Sequence, residues 1–172
     1  MISAGIDCGA KNTKTVIMQD GKLVGKGMVL TGFDQGKAVE ESLILAMQQA
    51  GIARKNIQRI FGTGSGRNAV KIAHGSVNEI QAMAKGAFFF FLKARTVADV
   101  GAEEGRAAKL DDKGNPLDFA INEKCAAGAG AFIEAMARAL EVSIEEMGRS
   151  ACSPTRRFPS TRSAPFSPNP KW

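Results

Sequence analysis

The sequence lacks any apolar run near the roughly 18 residues that a membrane-spanning helix needs, and its start lacks a basic-then-apolar signal region. A soluble, cytoplasmic chain with no membrane partner is the expectation. Cysteine is scarce: three residues, an odd number in a chain without a secretion signal, argue for reduced thiols or ligands over a disulfide framework. Histidine occurs once, at His74, in an expected loop with no visible partner, and receives no role. Acidic residues are missing from 149–172, where Arg149, Arg156, Arg157, Arg162 and Lys171 supply most of the formal charge of +6. The rest of the chain is therefore close to neutral, which argues against a nucleic-acid partner. That same stretch holds five of the six prolines and the one tryptophan without helical or strand period, the composition of a disordered basic tail.

What is present is a well-patterned body over residues 1–148, long enough for one domain with a sizeable core or for one lobe of something larger. "ISAGIDC", "TKTVIMQD" and "KLVGKGMVL" read as strands, with Asp20-Gly21 as the tight turn between the last two. From a candidate N-cap at Asp34, the residues Val39, Leu43, Met47 and Ala50 recur at helical spacing until Gly51. "IQRIFGTG" predicts a short strand ending in glycines. A second helix is expected over about 78–93, with its "FFFFL" run buried as core. "TVADVG", "GRAAKLDD" and "LDFAIN" then give three more strands, with a turn at Lys113-Gly114-Asn115.

Strand, glycine corner, strand, turn, strand thus occurs twice. The corners match in sequence as well: "DCGAKNTK" at residues 7–14 and "DVGAEEGR" at residues 99–106 are each Asp-x-Gly-Ala, three free positions, then a base. Asp7 and Asp99 end strands, where a carboxylate points into a cleft. The Gly-Ala that follows turns without a bulky side chain and leaves backbone N–H groups to cradle an anion. Two such corners facing one another would clamp a polyphosphate, with Mg2+ held by the carboxylates through water and Lys14 offsetting phosphate charge. A single Asp-x-Gly is more often an ordinary strand-end turn; the second copy in a matching strand context favours the functional reading.

"NEKCAAGAGAFIEAMARALE" opens with Cys125 among small residues that include Gly128 and Gly130, then carries Phe132, Met136, Ala139 and Leu140 on one helical face. A helix N-terminus lowers a nearby thiol pKa, which suits Cys125 as nucleophile or metal ligand, although a lone cysteine more often only packs.

"GIDCGAKNTK", "GTGSGR", "NEIQAMAKGA", "VADVGAEEGR" and above all "NEKCAAGAGAF" resemble the BadF/BadG/BcrA/BcrD ATPase family, the activators of acyl-CoA dehydratases and ATPase subunits of benzoyl-CoA reductase. The resemblance covers residues 1 to about 148. It implies an α/β fold of the actin/Hsp70/sugar-kinase type, of which 1–148 would be the N-terminal, ribonuclease-H-like lobe, with a mixed sheet and helices on both faces. It further implies ATP-driven electron transfer in a dimer, with a second copy or a paralogous subunit, and with the dehydratase or reductase subunits as partners. One [4Fe-4S] cluster would lie between subunits, two cysteines from each, of which Cys125 matches the first. Asp7 and Asp99 would serve Mg2+ and water; Gly9, Ala10, Lys11, Lys14, Gly101 and Ala102 the phosphates; and Gly128 and Gly130 the helix turn near cluster and nucleotide. A sugar or acid kinase of the same fold, or a nucleotide-binding fragment without activity, are the alternatives.

Two departures stand out. Relatives usually have Gly-Gly-Gln-Asp where this chain has Gly101-Ala102-Glu103-Glu104, which puts extra carboxylate near phosphate. Cys8 replaces an aliphatic residue and reads as a small buried apolar group. The ending differs more. Relatives continue into a second lobe and carry their second cluster cysteine in a segment close to C-T-V-F-A-E-S-E, which residues 149–172 lack. Back-translated with free codon choice and read in a shifted frame, residues 163–172 can yield that segment. The expectation is a frameshift near residue 149, a missing second lobe, no cluster role for Cys152, and a chain inactive as it stands.

Overall fold

The computed structural model describes residues 1–101, 104–122 and 129–152. Ala102, Cys125, Gly128 and residues 153–172 lie outside the described residues. The described residues fall into two compact units, one within 1–131 and one within 132–172.

The first unit contains two sheets. Strands β1 (Ile2–Cys8), β2 (Asn12–Gln19), β3 (Lys22–Leu30), β4 (Arg59–Thr63) and β5 (Gly75–Ser76) form a mixed sheet in the order β3-β2-β1-β4-β5. The β1–β2 and β2–β3 pairs are antiparallel, while β4 runs parallel to β1 and β5 parallel to β4. Strands β6 (Thr96–Val100), β7 (Gly105–Leu110) and β8 (Pro116–Asn122) form a separate antiparallel sheet. The repeated strand pattern is therefore repeated architecture.

Helix α1 (Gln35–Ala50) starts where the Asp34 carboxylate accepts the Lys37 N–H at 2.9 Å and stops at Gly51, whose φ of 66° suits a left-handed cap. Val39, Leu43 and Ala46 on its inner face pack with Ala4, Ile6, Cys8, Ile17, Ile60 and Val70. Full burial of Leu43 alone contributes about 2–3 kcal/mol. The approach is close because β3 presents glycine: a Cβ on Gly27 would lie 2.1 Å from the Ser42 carbonyl oxygen. Buried hydroxyls are paired within this core, Thr15 with Ser42 at 2.8 Å and Thr13 with Thr31 at 2.9 Å. Cys8 is fully buried, as its sequence context suggested.

Helix α2 (Glu79–Phe90) is capped by Asn78, whose side chain accepts the Gln81 N–H at 2.8 Å. Its Ile80 and Ala84 pack on Ala108 and Leu110 of β7 and on Val97 of β6. The expected burial of the aromatic run is wrong. Phe90 is 65% and Phe91 69% exposed, because the helix offers the sheet only the stripe through Ile80 and Ala84. The helix also ends at Phe90, short of the predicted end. The sole histidine has partners after all: His74 Nδ1 accepts the Ile60 N–H at 3.0 Å, and the His74 backbone N–H donates to the Ile60 carbonyl at 2.8 Å.

Helix α3 (Ala129–Ala139) carries Gly130 in its first turn and Phe132 and Met136 one turn apart. Helix α4 (Ile144–Cys152) crosses the expected boundary at 148. Its start is a capping box: the Ser143 N–H donates to Glu146 at 2.9 Å, and the Glu146 N–H donates to the Ser143 hydroxyl at 3.1 Å. Among the described residues no helix is long and apolar enough to cross a membrane.

Candidate active site

The two glycine corners are built alike. In the first, the Gly9 N–H closes the turn on the Asn12 carbonyl at 3.1 Å; in the second, the Gly101 N–H closes on the Glu104 carbonyl at 2.9 Å. These two glycine donors are consumed by the turns and so are not the groups that would meet an anion. Strand register then sets Asp7 opposite Lys14 and Asp99 opposite Arg106. The seven-residue spacing between acid and base, common to both copies, is the sequence signature of that cross-strand pair. Lys14 Nζ lies 3.1 Å from Asp7 Oδ2, and Arg106 Nη1 lies 3.7 Å from Asp99 Oδ2.

Beneath the first corner, the Thr31 hydroxyl donates to the Gly9 carbonyl at 2.7 Å and is tied to the Thr13 hydroxyl, while the Thr31 N–H donates to the Lys11 carbonyl at 2.9 Å. The corner is thus held from below by a buried hydroxyl chain. The "GTGSGR" loop closes against the same strand end, with the Gly66 N–H on the Cys8 carbonyl at 2.8 Å. Gly64, at φ 92°, passes so near that a Cβ there would lie 2.4 Å from Asp7 Oδ1.

Both acids line one cavity of about 290 Å³, together with Thr63, Glu79, Ala82, Met83 and Arg106. Thr63 follows from the topology: β4 pairs parallel to β1 with Thr63 opposite Asp7, at the carboxyl ends of the parallel strands where α/β sheets bind ligands. Its buried hydroxyl has no hydrogen-bond partner among the described residues, so it is a polar atom that a bound ligand could pair. Glu79 opens α2 directly after β5. Sequence reasoning missed both residues. The glycine-rich strand end after Thr63 was a signal for the first; nothing local marked the second.

The arrangement fits Mg2+ bound with a polyphosphate. Three carboxylates, of Asp7, Asp99 and Glu79, and the Thr63 hydroxyl face one cavity, and Lys14 is half exposed with one carboxylate partner among the described residues. Among the described residues no three acidic, histidine or cysteine side chains group closely enough to hold a metal alone, so such an ion would draw further ligands from phosphate oxygens and water. Of the other expected site residues, Gly130 lies in α3, while Ala102, Cys125 and Gly128 are outside the described residues.

A five-stranded mixed sheet followed by a second sheet with a matching corner defines an α/β protein of the actin/Hsp70/sugar-kinase class. Residues 4–163 match the BadF/BadG/BcrA/BcrD ATPase family, and the chain belongs to that family. It is 37% identical over 147 residues to the activator of lactoyl-CoA dehydratase of Anaerotignum propionicum, covering 86% of this chain and 57% of that protein. The solved component A of (R)-2-hydroxyglutaryl-CoA dehydratase from Acidaminococcus fermentans superposes with a TM-score of 0.79 at 29% identity, over 92% of this chain and 61% of the other. The activator of 2-hydroxyisocaproyl-CoA dehydratase from Clostridium difficile, solved with bound ADPNP, gives 0.77 at 30% identity, over 92% and 59%. The chain therefore spans less than two thirds of the length of these relatives.

Proposed function

We propose that the chain is the polyphosphate-binding part of an ATP-dependent electron activator for an acyl-CoA dehydratase. The observation that carries this reading is the pair of matched corners, Asp7 with Lys14 and Asp99 with Arg106, whose acids open on one cavity beside the unpaired Thr63 hydroxyl. The names of the similar proteins, activators of dehydratases, one of them with a bound ATP analogue, support the choice among nucleotide-using classes.

In this reading the polyphosphate lies between the corners. Lys14, held by one carboxylate and half exposed, can turn to a phosphate oxygen. Asp7 and Asp99 would hold Mg2+ through water, and the Thr63 hydroxyl would supply a donor to a bound water or phosphate. Held there, the ion would supply positive charge against the negative charge that builds on the transferring phosphoryl group. Water oriented by the same carboxylates attacks the γ-phosphorus, the bond to the β,γ-bridging oxygen breaks with its electron pair leaving on ADP, and the water proton passes by way of one of those carboxylates to solvent. No phosphoryl acceptor other than water is required.

The electron-transfer half rests on Cys125 in "NEKCAAGAGAF" and on family membership. A [4Fe-4S] cluster shared with a second subunit would supply the one-electron chemistry. The acyl-CoA dehydratase is the proposed acceptor.

Titration calorimetry tests the first half with Mg2+ and inorganic tripolyphosphate, which needs the corners and no adenosine site. Binding by the wild type and its loss in Asp7→Asn are expected; equal binding by both would refute the assignment. For the second half, anoxic reconstitution with iron and sulfide is done on a chain extended through the C-T-V-F-A-E-S-E segment that residues 149–172 lack, and should give a chromophore that Cys125→Ser lacks.

A further inference from the structure

The two corners are equivalent in backbone and unequal in side-chain chemistry. Lys14 has one carboxylate and half its surface in solvent. Arg106 is only 16% exposed and faces three carboxylates: Asp99, Glu104 at 2.9 Å, and Glu79, which it meets closely through Nη2. Glu79, 21% exposed, also lies 4.0 Å from Arg67. The Glu79–Arg106 pair lines the 290 Å³ cavity that holds Asp7 and Asp99, and it also lines a neighbouring cavity of about 520 Å³ bounded by Leu117 and Phe119. It is the partition between them.

Glu79 and Glu104 both meet Nη2 and Asp99 faces Nη1 at 3.7 Å, so the charge of this guanidinium is already offset by three carboxylates before any phosphate arrives. We propose that Arg106 is a positioning residue, anchored by Glu79, that fixes the Asp99 carboxylate toward the metal side of the polyphosphate. Lys14 then remains the mobile phosphate cation of the cleft. Glu104, which stands where relatives have aspartate, completes the shell and is spent on Arg106 and not turned on the phosphates. This inference rests on the polyphosphate reading above.

The test is Glu79→Gln, which keeps shape and removes the charge that anchors Arg106. Binding of tripolyphosphate is measured with Mg2+ and with a chelator in its place. The expected result is a loss of about tenfold or more with Mg2+, the range for removing an outer-shell partner of a metal ligand. Without metal, binding should be unchanged or tighter, since one negative charge has left the cleft. Equal tightening under both conditions would mean that freed Arg106 binds phosphate directly, which overturns the proposal. No change under either condition would make the network purely structural and overturn it as well. Arg106→Lys keeps charge and loses the fork, so it should repeat the Mg2+-specific loss; retained binding would again refute the positioning role. A wild-type chain that binds no tripolyphosphate with Mg2+ would end the polyphosphate reading itself, whatever the variants do, and this inference with it.

Discussion

Gly64→Ala should damage the fold and the cleft together, and the two effects can be separated. At φ 92° an alanine is in a backbone region that L side chains avoid, costing about 1–3 kcal/mol. Its Cβ would also stand 2.4 Å from Asp7 Oδ1, 2.5 Å from the Cys8 carbonyl oxygen and 2.8 Å from the Cys8 carbonyl carbon. Ordinary contact begins near 3.4 Å, so loop and strand must part by about 1 Å, which adds roughly 1–3 kcal/mol of overpacking strain. The sum is about 2–6 kcal/mol. Gly21→Ala supplies the control, because φ there is 78° with nothing within 4 Å of the added carbon. It should show the conformational cost alone, about 1–2 kcal/mol. Urea unfolding measures both variants. Tripolyphosphate titration at a urea-free temperature where each is folded should then show Gly64→Ala weakened by up to about 100-fold, the penalty for a 1 Å misplacement, and Gly21→Ala unchanged. If Gly64→Ala loses no more stability than Gly21→Ala and binds equally, the close approach to Asp7 has been misjudged and the positioning of that carboxylate is explained some other way.

Leu43→Ala should cost about 2–5 kcal/mol in urea unfolding because the side chain is fully buried under α1, whereas Phe90→Ser at a mostly exposed position should stay within about 0.5 kcal/mol. Ser143→Ala removes the hydroxyl of the capping box and should lower the stability of α4 by about 1 kcal/mol, read from helix content on heating. Asp111 is held below its ordinary value of 3.8, first by the Asn115 side-chain amide, then by the backbone N–H groups of Asn115 and Lys113. Its folded-state value is thus depressed, so the stability it contributes is present above the ordinary carboxylate range and is lost as pH falls through and below 3.8. Unfolding followed from pH 6 down to pH 3 should show that loss in the wild type and a smaller one in Asp111→Asn.

Local signals carried most of the first sheet. The Asp20-Gly21 turn takes positive φ at both residues, Asp34 and Gly51 bound α1, and alternation in "NTKTVIMQ" places Thr13, Thr15 and Ile17 on the buried face. The corners were legible for the same reason, since acid, glycine and base lie within eight residues of one another. What the sequence hid depends on partners distant along the chain. Thr63 becomes a site residue only through parallel pairing of β4 with β1, and Glu79 only because Arg106 of β7 reaches it from 27 positions away. The aromatic run misled because apolar composition reports what a segment could bury, while burial of Phe90 and Phe91 requires a surface that the described strands do not present. Ser143 and Glu146 are the opposite case: the three-residue spacing of a capping box was in plain sight, and it opens a helix that runs four residues past 148, to Cys152.

The inequality of the corners bears on why a repeated device need not act symmetrically. A polyphosphate between two corners needs positive charge that can follow it and a metal ligand that does not move. A lysine half in solvent, paired to one carboxylate, meets the first need, because its partner can be exchanged for a phosphate oxygen at little cost. An arginine largely shielded from water and forked among Asp99, Glu79 and Glu104 meets the second, because moving it would strand several carboxylates at once. The carboxylate at Glu104, which the sequence places awkwardly near phosphate, is the counter-charge such an arginine requires. Lys14→Gln should therefore weaken tripolyphosphate binding with and without Mg2+ alike, whereas Glu79→Gln should weaken it only with the metal. Identical profiles for the two variants would show that the corners do the same work, and the division of labour argued from their side chains would fall.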